Sequence, residues 1–338
     1  MGQHHHTGTG DTPPTLFISD AEVAELADWA MAVDTLRQAY AHPTHPDMVP
    51  PRSMARGDGF WLRGLTAISP TGVHMGCKLI AASPKARKAS YLVSLFDQDT
   101  MALMALLDGN RITGIRTAAT AALFVDTVAP QRPLRVAVLG SGFEATGLLS
   151  ALLAVRAVAR STVFSPNPDS RRRFAAAFAA SHQHQVSEAA SAEAAVQDAD
   201  VVLCAARSRD ESPVLLGRWL PADVAVVSIG STLPEQREVD TDVVQKADIV
   251  VADMVDEVAH DTGDMLAATR GGVAFDHKLV ALTDVVSGRV RRAPGQTVLY
   301  KSVGSALQDI AAAEAIFNKA VATARGTYLA HTILPVSK

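Results

Sequence analysis

The 338-residue sequence predicts an α/β protein in which a doubly wound parallel sheet is joined to a second unit of the α+β type. Three observations carry that expectation. From Leu134 onward, short apolar runs alternate with helical stretches, the pattern of parallel strands linked by crossover helices. Between Phe60 and Leu107, four short runs are separated only by Gly, Pro and Asp turns, which reads as a sheet of meandering strands. The length also exceeds what one hydrophobic core usually organises, so two cores are expected.

Taken in order, Ser19 to Tyr40 has apolar residues at helical spacing behind a capping box of Ser19 and Glu22, giving one or two amphipathic helices. The Pro-punctuated stretch His42 to Pro51 leads to strands expected at Phe60–Leu65, Met75–Ala81, Ser90–Asp97 and Met101–Leu107. Thr113 to Val128, small and apolar, is expected to be a helix ending at a boundary. Strand Leu134–Leu139 then opens the alternating block, followed by a helix at Ala145–Val158, a strand at Ser161–Phe164 and a helix at Asp169–Ala180. Further strands are expected at Val201–Ala205, Val224–Ile229 and Ile249–Ala252. Ser302 to Arg325 is a long Ala-rich helical segment with Gly326 as its stop, placed to return to the first unit. The expected division is residues 1–129 with 306–338 as one domain and 130–305 as the other.

Composition narrows the function classes. The chain is 48% hydrophobic and 20% charged with a net charge of -4, so it offers no overall positive field for a phosphate backbone, and no nucleic-acid partner is expected. Cys77 and Cys204 are its only cysteines, too few for a disulfide framework or a CxxC site, which points to a reducing cytoplasmic setting. The first residues show no apolar signal segment, and no long uncharged apolar run suggests membrane insertion. The His4-His5-His6 tract reads as a tail without function. His74, His182, His184, His260 and His277 lack ligand spacing, so no metal is expected. Small molecules are the expected partners.

Strand Leu134–Leu139 runs directly into Gly140-Ser141-Gly142-Phe143-Glu144-Ala145, which matches G-x-G-x-x-G/A. Gly140 allows the tight turn, Gly142 lets the backbone approach a pyrophosphate, and Ala145 keeps helix and strand close. By itself such a loop is also an ordinary strand-to-helix turn; its place at the head of a βαβ unit makes it a dinucleotide site of the Rossmann type, with phosphates facing a helix N-terminus. The second strand ends at Phe164, followed by Ser165, Pro166 and Asn167, with no carboxylate positioned to repel a 2′-phosphate. Ser165, Asn167 and Arg171, the first of three consecutive arginines, favour NADP over NAD. Two alternatives stand beside that preference: the arginines as a solvated helix face, and Asp169 as a ribose ligand.

Several segments together resemble the ornithine cyclodeaminase/mu-crystallin family. They are Pro51-Arg52, Gly76-Cys77-Lys78-Leu79, Ile115-Arg116-Thr117-Ala118-Ala119, the Gly140 loop, Gly230 to Asp240, and Lys301-Ser302-Val303-Gly304. The resemblance implies that the first domain serves substrate binding and dimerisation, with sheets joining across a homodimer, and that the active site lies between the domains. It maps the substrate-carboxylate arginines onto Arg52 and Arg116 and the catalytic lysine onto Lys78. An Arg fork suits two carboxylate oxygens, and a buried Lys can polarise or protonate an imine or carbonyl. Thr117, read at the opening of its helix, helps position substrate or cofactor, with N-capping as its structural alternative.

Departures from the family pattern bear on the substrate. Cyclodeaminases of the family carry an Asp where Thr232 stands here, and a neutral hydroxyl cannot pair with the ammonium of ornithine as a carboxylate can. Glu144 replaces the usual Gln of the glycine loop. The implied function is NAD(P)-dependent reduction of a small 2-imino (ketimine) or 2-oxo acid, or its reverse, with hydride transfer at C2. Ornithine cyclodeamination to proline and ammonia is the alternative within enzymes, and a non-catalytic crystallin-like binding protein is the alternative outside them. Ser228 and Ser231 read as nicotinamide-side pocket residues or as groups satisfying the backbone, with Ser231 carried forward as a cofactor residue and Thr232 as a pocket residue. Asp309 reads as fixing the interdomain helix, and Asp253, Asp256, Glu257, Asp261 and Asp264 as a solvated acidic face.

Overall fold

The computed structural model describes residues 13–208 and 210–336; the His4–His6 tract lies outside them. The first sheet has seven strands: β1 (Leu16–Ile18), β2 (Ser53–Arg56), β3 (Trp61–Ile68), β4 (His74–Ser83), β5 (Lys88–Asp97), β6 (Leu103–Asp108) and, from the far end of the chain, β15 (Thr327–Tyr328). The order is β15-β1-β6-β5-β4-β3-β2. β2 to β6 form an antiparallel meander, while β1 runs parallel to β6 and antiparallel to β15. The second sheet has eight strands: β7 (Leu134–Leu139), β8 (Val158–Phe164), β9 (Val186–Glu188), β10 (Val201–Cys204), β11 (Ala225–Ser228), β12 (Ile249–Ala252), β13 (Leu279–Ala281) and β14 (Val298–Lys301). All its pairings are parallel, in the order β9-β8-β7-β10-β11-β14-β12-β13. The chain direction across the sheet reverses between β7 and β10, the switch point where doubly wound sheets bind ligands.

The capping box at Ser19 forms as expected, with Ser19 and Glu22 bonded reciprocally at the head of α1 (Asp20–Leu26). A second cap at Asp28 starts α2 (Trp29–Ala41). Helix α3 (Gly109–Val128) begins a turn before Thr113, because the Asp108 carboxylate accepts from Asn110 N at 2.9 Å and satisfies the helix end there. Thr117 therefore sits two turns inside the helix and caps nothing; its hydroxyl donates to the Thr113 carbonyl at 2.7 Å. The remaining helices are α4 (Phe143–Val155), α5 (Pro168–His182), α6 (Ala192–Val196), α7 (Thr241–Lys246), α8 (Val255–Asp261), α9 (Gly263–Arg270), α10 (Leu282–Val286) and α11 (Ala306–Ala322).

The two expected cores exist, but they do not divide one to each sheet. Val136, Val138, Leu203 and Val227 point from one face of the parallel sheet into a cluster shared with α2, α3, α4, α11 and the inner face of the first sheet. Ala137, Leu139, Val202 and Val226, on the alternate face, join a second cluster under α7, α8 and α9. The shared cluster arises because α3, buried along most of its length, touches both sheets, while α11, equally buried, packs on α3 and on the first sheet. The run Ala311-Ala312-Ala313 lets α11 lie close against β3, β4 and β5, which a larger side chain would prevent. Phe124 of α3 stacks on Tyr300 of β14 with centroids 5.0 Å apart, fixing α3 directly against the parallel sheet. These two helices thus hold the cleft between the sheets to a single geometry.

Candidate active site

A cavity of about 430 Å³ lies between the sheets, at the carboxyl ends of the parallel strands. Lys78 reaches it from β4, Arg116, Thr113 and Thr117 from α3, and Arg52 from the segment before β2. Ala205, Ala206, Ile229, Gly230 and Thr232 close the opposite wall beyond β10 and β11, and Ser302, Val303 and Gly304 form the floor after β14. Arg52, Lys78 and Arg116, which lie far apart along the chain, are thereby brought to one cleft.

Lys78 is 1% exposed, and its ammonium donates to the Thr113 hydroxyl at 2.6 Å and to Asp309 Oδ1 at 3.0 Å. Burial pushes its pKa down to about 8, while the Asp309 carboxylate acts in the opposite direction. Asp309 is fully buried and also accepts from Arg116 Nε at 3.2 Å, so it faces the site's cations as well as fixing its helix. Sequence alone suggests only the helix role, because nothing local marks a residue on α11 as the partner of one on β4. Thr113 is a further site residue that sequence reasoning does not single out, although its spacing from Arg116 and Thr117, one turn away on the same helix, is a usable signal.

Arg116 is held at both ends. Its NH1 donates to Gln308 Oε1 at 2.9 Å, and Gln308 Nε2 donates in turn to Asp253 at 2.9 Å. Asp253 accepts from the backbone N–H of Val303 at 3.1 Å and of Gly304 at 2.8 Å, folding the 302–304 loop under the guanidinium. Gly304 has φ +80°, and a Cβ there would sit 2.4 Å from Arg116 NH1, so this position admits glycine alone. Arg52 NH2 donates to the carbonyls of Val303 at 3.3 Å and Gly304 at 3.2 Å and forms an ion pair with Glu257.

The acidic stretch is the solvated face expected from sequence only at Asp256 and Asp261, which are exposed. Glu257 and Asp264 are buried, and Asp253 is partly so. Asp264 pairs with the fully buried Lys301 at 3.1 Å and accepts from Glu238 N at 2.8 Å. Glu238, also buried, accepts from Ala206 N at 3.0 Å, Gly230 N at 2.8 Å and the Ser228 hydroxyl at 2.6 Å, bracing the two loops at the switch-point side of the cleft. The residue types match a surface; long-range partners make them internal, since buried charges persist when paired and hydrogen-bonded.

The glycine loop follows β7 at the expected position. Gly140 has φ +121°, and a Cβ would lie 2.6 Å from the Ala205 carbonyl, so glycine is needed for the fold itself. Gly142 differs: its φ of -93° suits any residue, and a Cβ there would meet no protein atom within 4 Å. That open space at the head of α4 is where a pyrophosphate would pass, and the loop fits such a group. Phe143 is 69% exposed with its ring over Gly114, Ala145 is buried, and Glu144 lines the cavity with its pKa raised by burial and opposed by Arg116.

Ser141 donates to Ser165 across the first two strand ends at 2.9 Å. Asn167 caps α5, and Arg171 donates to the Ser165 carbonyl at 2.5 Å with its guanidinium 5.5 Å from the Phe164 ring centroid. Arg171 thus shapes the turn that a ribose would meet, while Asp169 pairs with the exposed Arg172. Ser231 is fully buried and donates to the Gln236 carbonyl at 2.7 Å, so its side chain does not reach the cleft. Thr232 does line the cleft, with its backbone N–H and hydroxyl bonded to Gln236 Oε1 at 2.9 and 3.3 Å. Among the described residues no group of three or more His, Cys, Asp or Glu is placed to hold a metal, and no helix is long and apolar enough to cross a membrane.

A chain that builds this cleft has relatives among known proteins. The pattern of the ornithine cyclodeaminase/mu-crystallin family matches residues 17–324. The chain is 31% identical over 303 residues to Delta(1)-pyrroline-2-carboxylate reductase 2 of Burkholderia ambifaria, covering 86% of this chain and 92% of that one. It is 28% identical over 226 residues to ketimine reductase mu-crystallin of Rattus norvegicus, covering 67% and 68%. Among solved structures, Delta(1)-pyrroline-2-carboxylate reductase of Thermococcus litoralis in complex with NADH and L-proline superposes with a TM-score of 0.83 at 23% identity, covering 93% of this chain and 100% of that one, a likeness of fold.

Proposed function

Because the chain belongs to the ornithine cyclodeaminase/mu-crystallin family, we propose that it is an NAD(P)-dependent reductase of small 2-imino (ketimine) or 2-oxo acids. The observation that carries this reading is the convergence of Lys78, Arg116 and Arg52 on one cleft beside a dinucleotide loop. A bound reduced nicotinamide supplies the hydride that adds to C2. Arg116 and Arg52 hold the substrate carboxylate, oriented by Gln308, Asp309 and the carbonyls of Val303 and Gly304. Lys78, with a pKa of about 8, delivers the proton that the imine nitrogen takes up as the C=N bond is reduced. Asp309 keeps Lys78 charged within a site that would otherwise discharge it.

Thr232 in place of a carboxylate leaves the free ammonium of a diamine without an anchor, which favours reduction over cyclodeamination. For the cofactor, Ser165 and Asn167 at the end of β8, with Arg172 and Arg173 exposed nearby, favour NADP over NAD. A homodimer is supported by the outer face of the first sheet, where Leu62, Ile68, Leu79 and Leu92 are exposed together. The deciding experiment follows reduced-nicotinamide absorbance with NADPH and with NADH against cyclic ketimines, 2-oxo acids plus ammonium, and ornithine with oxidised cofactor. Oxidation by 1-pyrroline-2-carboxylate, faster with NADPH, is the expected result; proline and ammonia from ornithine without net change in cofactor would overturn it.

A further inference from the structure

Three of the cleft cations have acidic partners: Arg52 has Glu257, and Lys78 and Arg116 share Asp309. Arg63 has none among the described residues. It projects from β3 into the cleft between Trp61 and Leu65, half-buried, with a buried Nε that lacks any hydrogen-bond partner. Its guanidinium rests 5.1 Å from the Trp61 ring centroid. Burial and the nearby Arg52 make its positive charge costly, with Glu257 relieving that only in part. An unpartnered guanidinium of this kind is stabilised by an arriving anion, and its fork suits a carboxylate.

Arg63 also lines a side chamber of about 240 Å³ that shares Arg52, Thr232 and Val303 with the main cleft. Arg56 lines this chamber as well, and its acids are Glu257, already engaged by Arg52, and the exposed Asp261. The register of β3 and β4 pairs Leu65 with Lys78 and Arg63 with Ile80, so Arg63 stands one diagonal step from Lys78. Diagonal neighbours across an antiparallel pair are about 7–8 Å apart, so a substrate whose C2 lies at the Lys78 ammonium can present a carboxylate two or three carbons further on to the long Arg63 side chain.

We propose that Arg63 anchors a second carboxylate and that the preferred substrates are 2-imino or 2-oxo dicarboxylic acids. The first carboxylate engages Arg116 and Arg52, C2 lies by Lys78, and the distal carboxylate points toward the side chamber. This inference rests on the reductase reading above and specifies its substrate class.

The test compares wild type with Arg63→Gln and Arg63→Lys, using 2-oxoglutarate or oxaloacetate plus ammonium as diacid substrates and 2-oxopentanoate plus ammonium as the monoacid. In wild type the diacid has the higher kcat/KM. Arg63→Gln lowers the diacid-to-monoacid ratio roughly ten- to hundredfold, chiefly through KM, and Arg63→Lys restores part of it. A ratio unmoved by Arg63→Gln, or equal losses on both substrates, would overturn the proposal, the latter by showing that Arg63 holds the first carboxylate. Silence with these substrates and with the cyclic ketimines named above would remove the reductase reading and leave the anchor to calorimetry with NADPH present. Succinate binding that is lost in Arg63→Gln and exceeds acetate binding would keep the second-carboxylate site; equal or absent binding of both would remove it.

Discussion

Replacing Asp309 by Asn isolates the charge that keeps Lys78 protonated while preserving shape. The carboxylate is fully buried, its Oδ1 accepts from Lys78 Nζ at 3.0 Å and Arg116 Nε at 3.2 Å, and its Oδ2 has no hydrogen-bond partner among the described residues. An Asn side chain retains the accepting oxygen and places its amide nitrogen where no existing bond is lost. The ammonium loses a negative neighbour, so its pKa falls from about 8. Coulomb's law at this separation with an effective dielectric near 20 sets a ceiling of roughly 5 kcal/mol, and opposite charges at such range commonly move a pKa by about 1–3 units. The lysine is the proton donor below its pKa, so activity is present at low pH and lost as pH rises through that value. A fall of about two units lowers the protonated fraction at pH 7.5 roughly 25-fold. The assay is kcat/KM for imine reduction at saturating NADPH between pH 5 and 9, corrected for substrate ionisation. Near-ultraviolet circular dichroism and NADPH affinity check that the variant is folded. A basic limb that stays near pH 8 in Asp309→Asn, or a loss of rate independent of pH, would refute the assignment of the donor to Lys78.

The two loop glycines should separate fold from cofactor binding. Gly142→Val keeps thermal stability within a few degrees and weakens NADPH binding by at least about tenfold, because its side chain enters space that no protein atom occupies. Gly140→Ala lowers stability by about 1–3 kcal/mol in a denaturant titration, through both its left-handed backbone and its clash with the Ala205 carbonyl. On the outer face of the first sheet, Leu79→Lys places a charge opposite Gly64 and Leu92, and sedimentation velocity is expected to show a dimer in wild type and a monomer in the variant. A wild-type monomer would remove the homodimer.

Local physics makes much of this protein legible in its amino-acid sequence. The capping box of Ser19 and Glu22, the antiparallel strands of the meander and the strand-to-helix turn at Gly140 depend on neighbours within a few residues, where spacing and side-chain chemistry suffice. The start of α3 is less legible, because Asp108 reads equally well as strand punctuation and as the cap it turns out to be. Short strands such as β1, β13 and β15 leave no signal because a two- or three-residue segment has no period of its own; it is extended because a neighbour pairs with it.

By itself the sequence determined the fold class, the glycine loop, the family resemblance and the three cations it placed at Arg52, Lys78 and Arg116. Tertiary structure alone decided what neutralises those cations and what does not. Asp309 lies 231 residues from Lys78, and Glu257 lies 205 from Arg52, distances at which no pattern of spacing carries information. It also turned Asp264 and Glu238 into internal braces, withdrew Ser231 from the cleft and left Arg63 within it without an acidic partner among the described residues. The physical reason is that a charged side chain's environment is set by whatever the fold brings within a few ångströms: residue type fixes which interactions are possible, and packing fixes which are made.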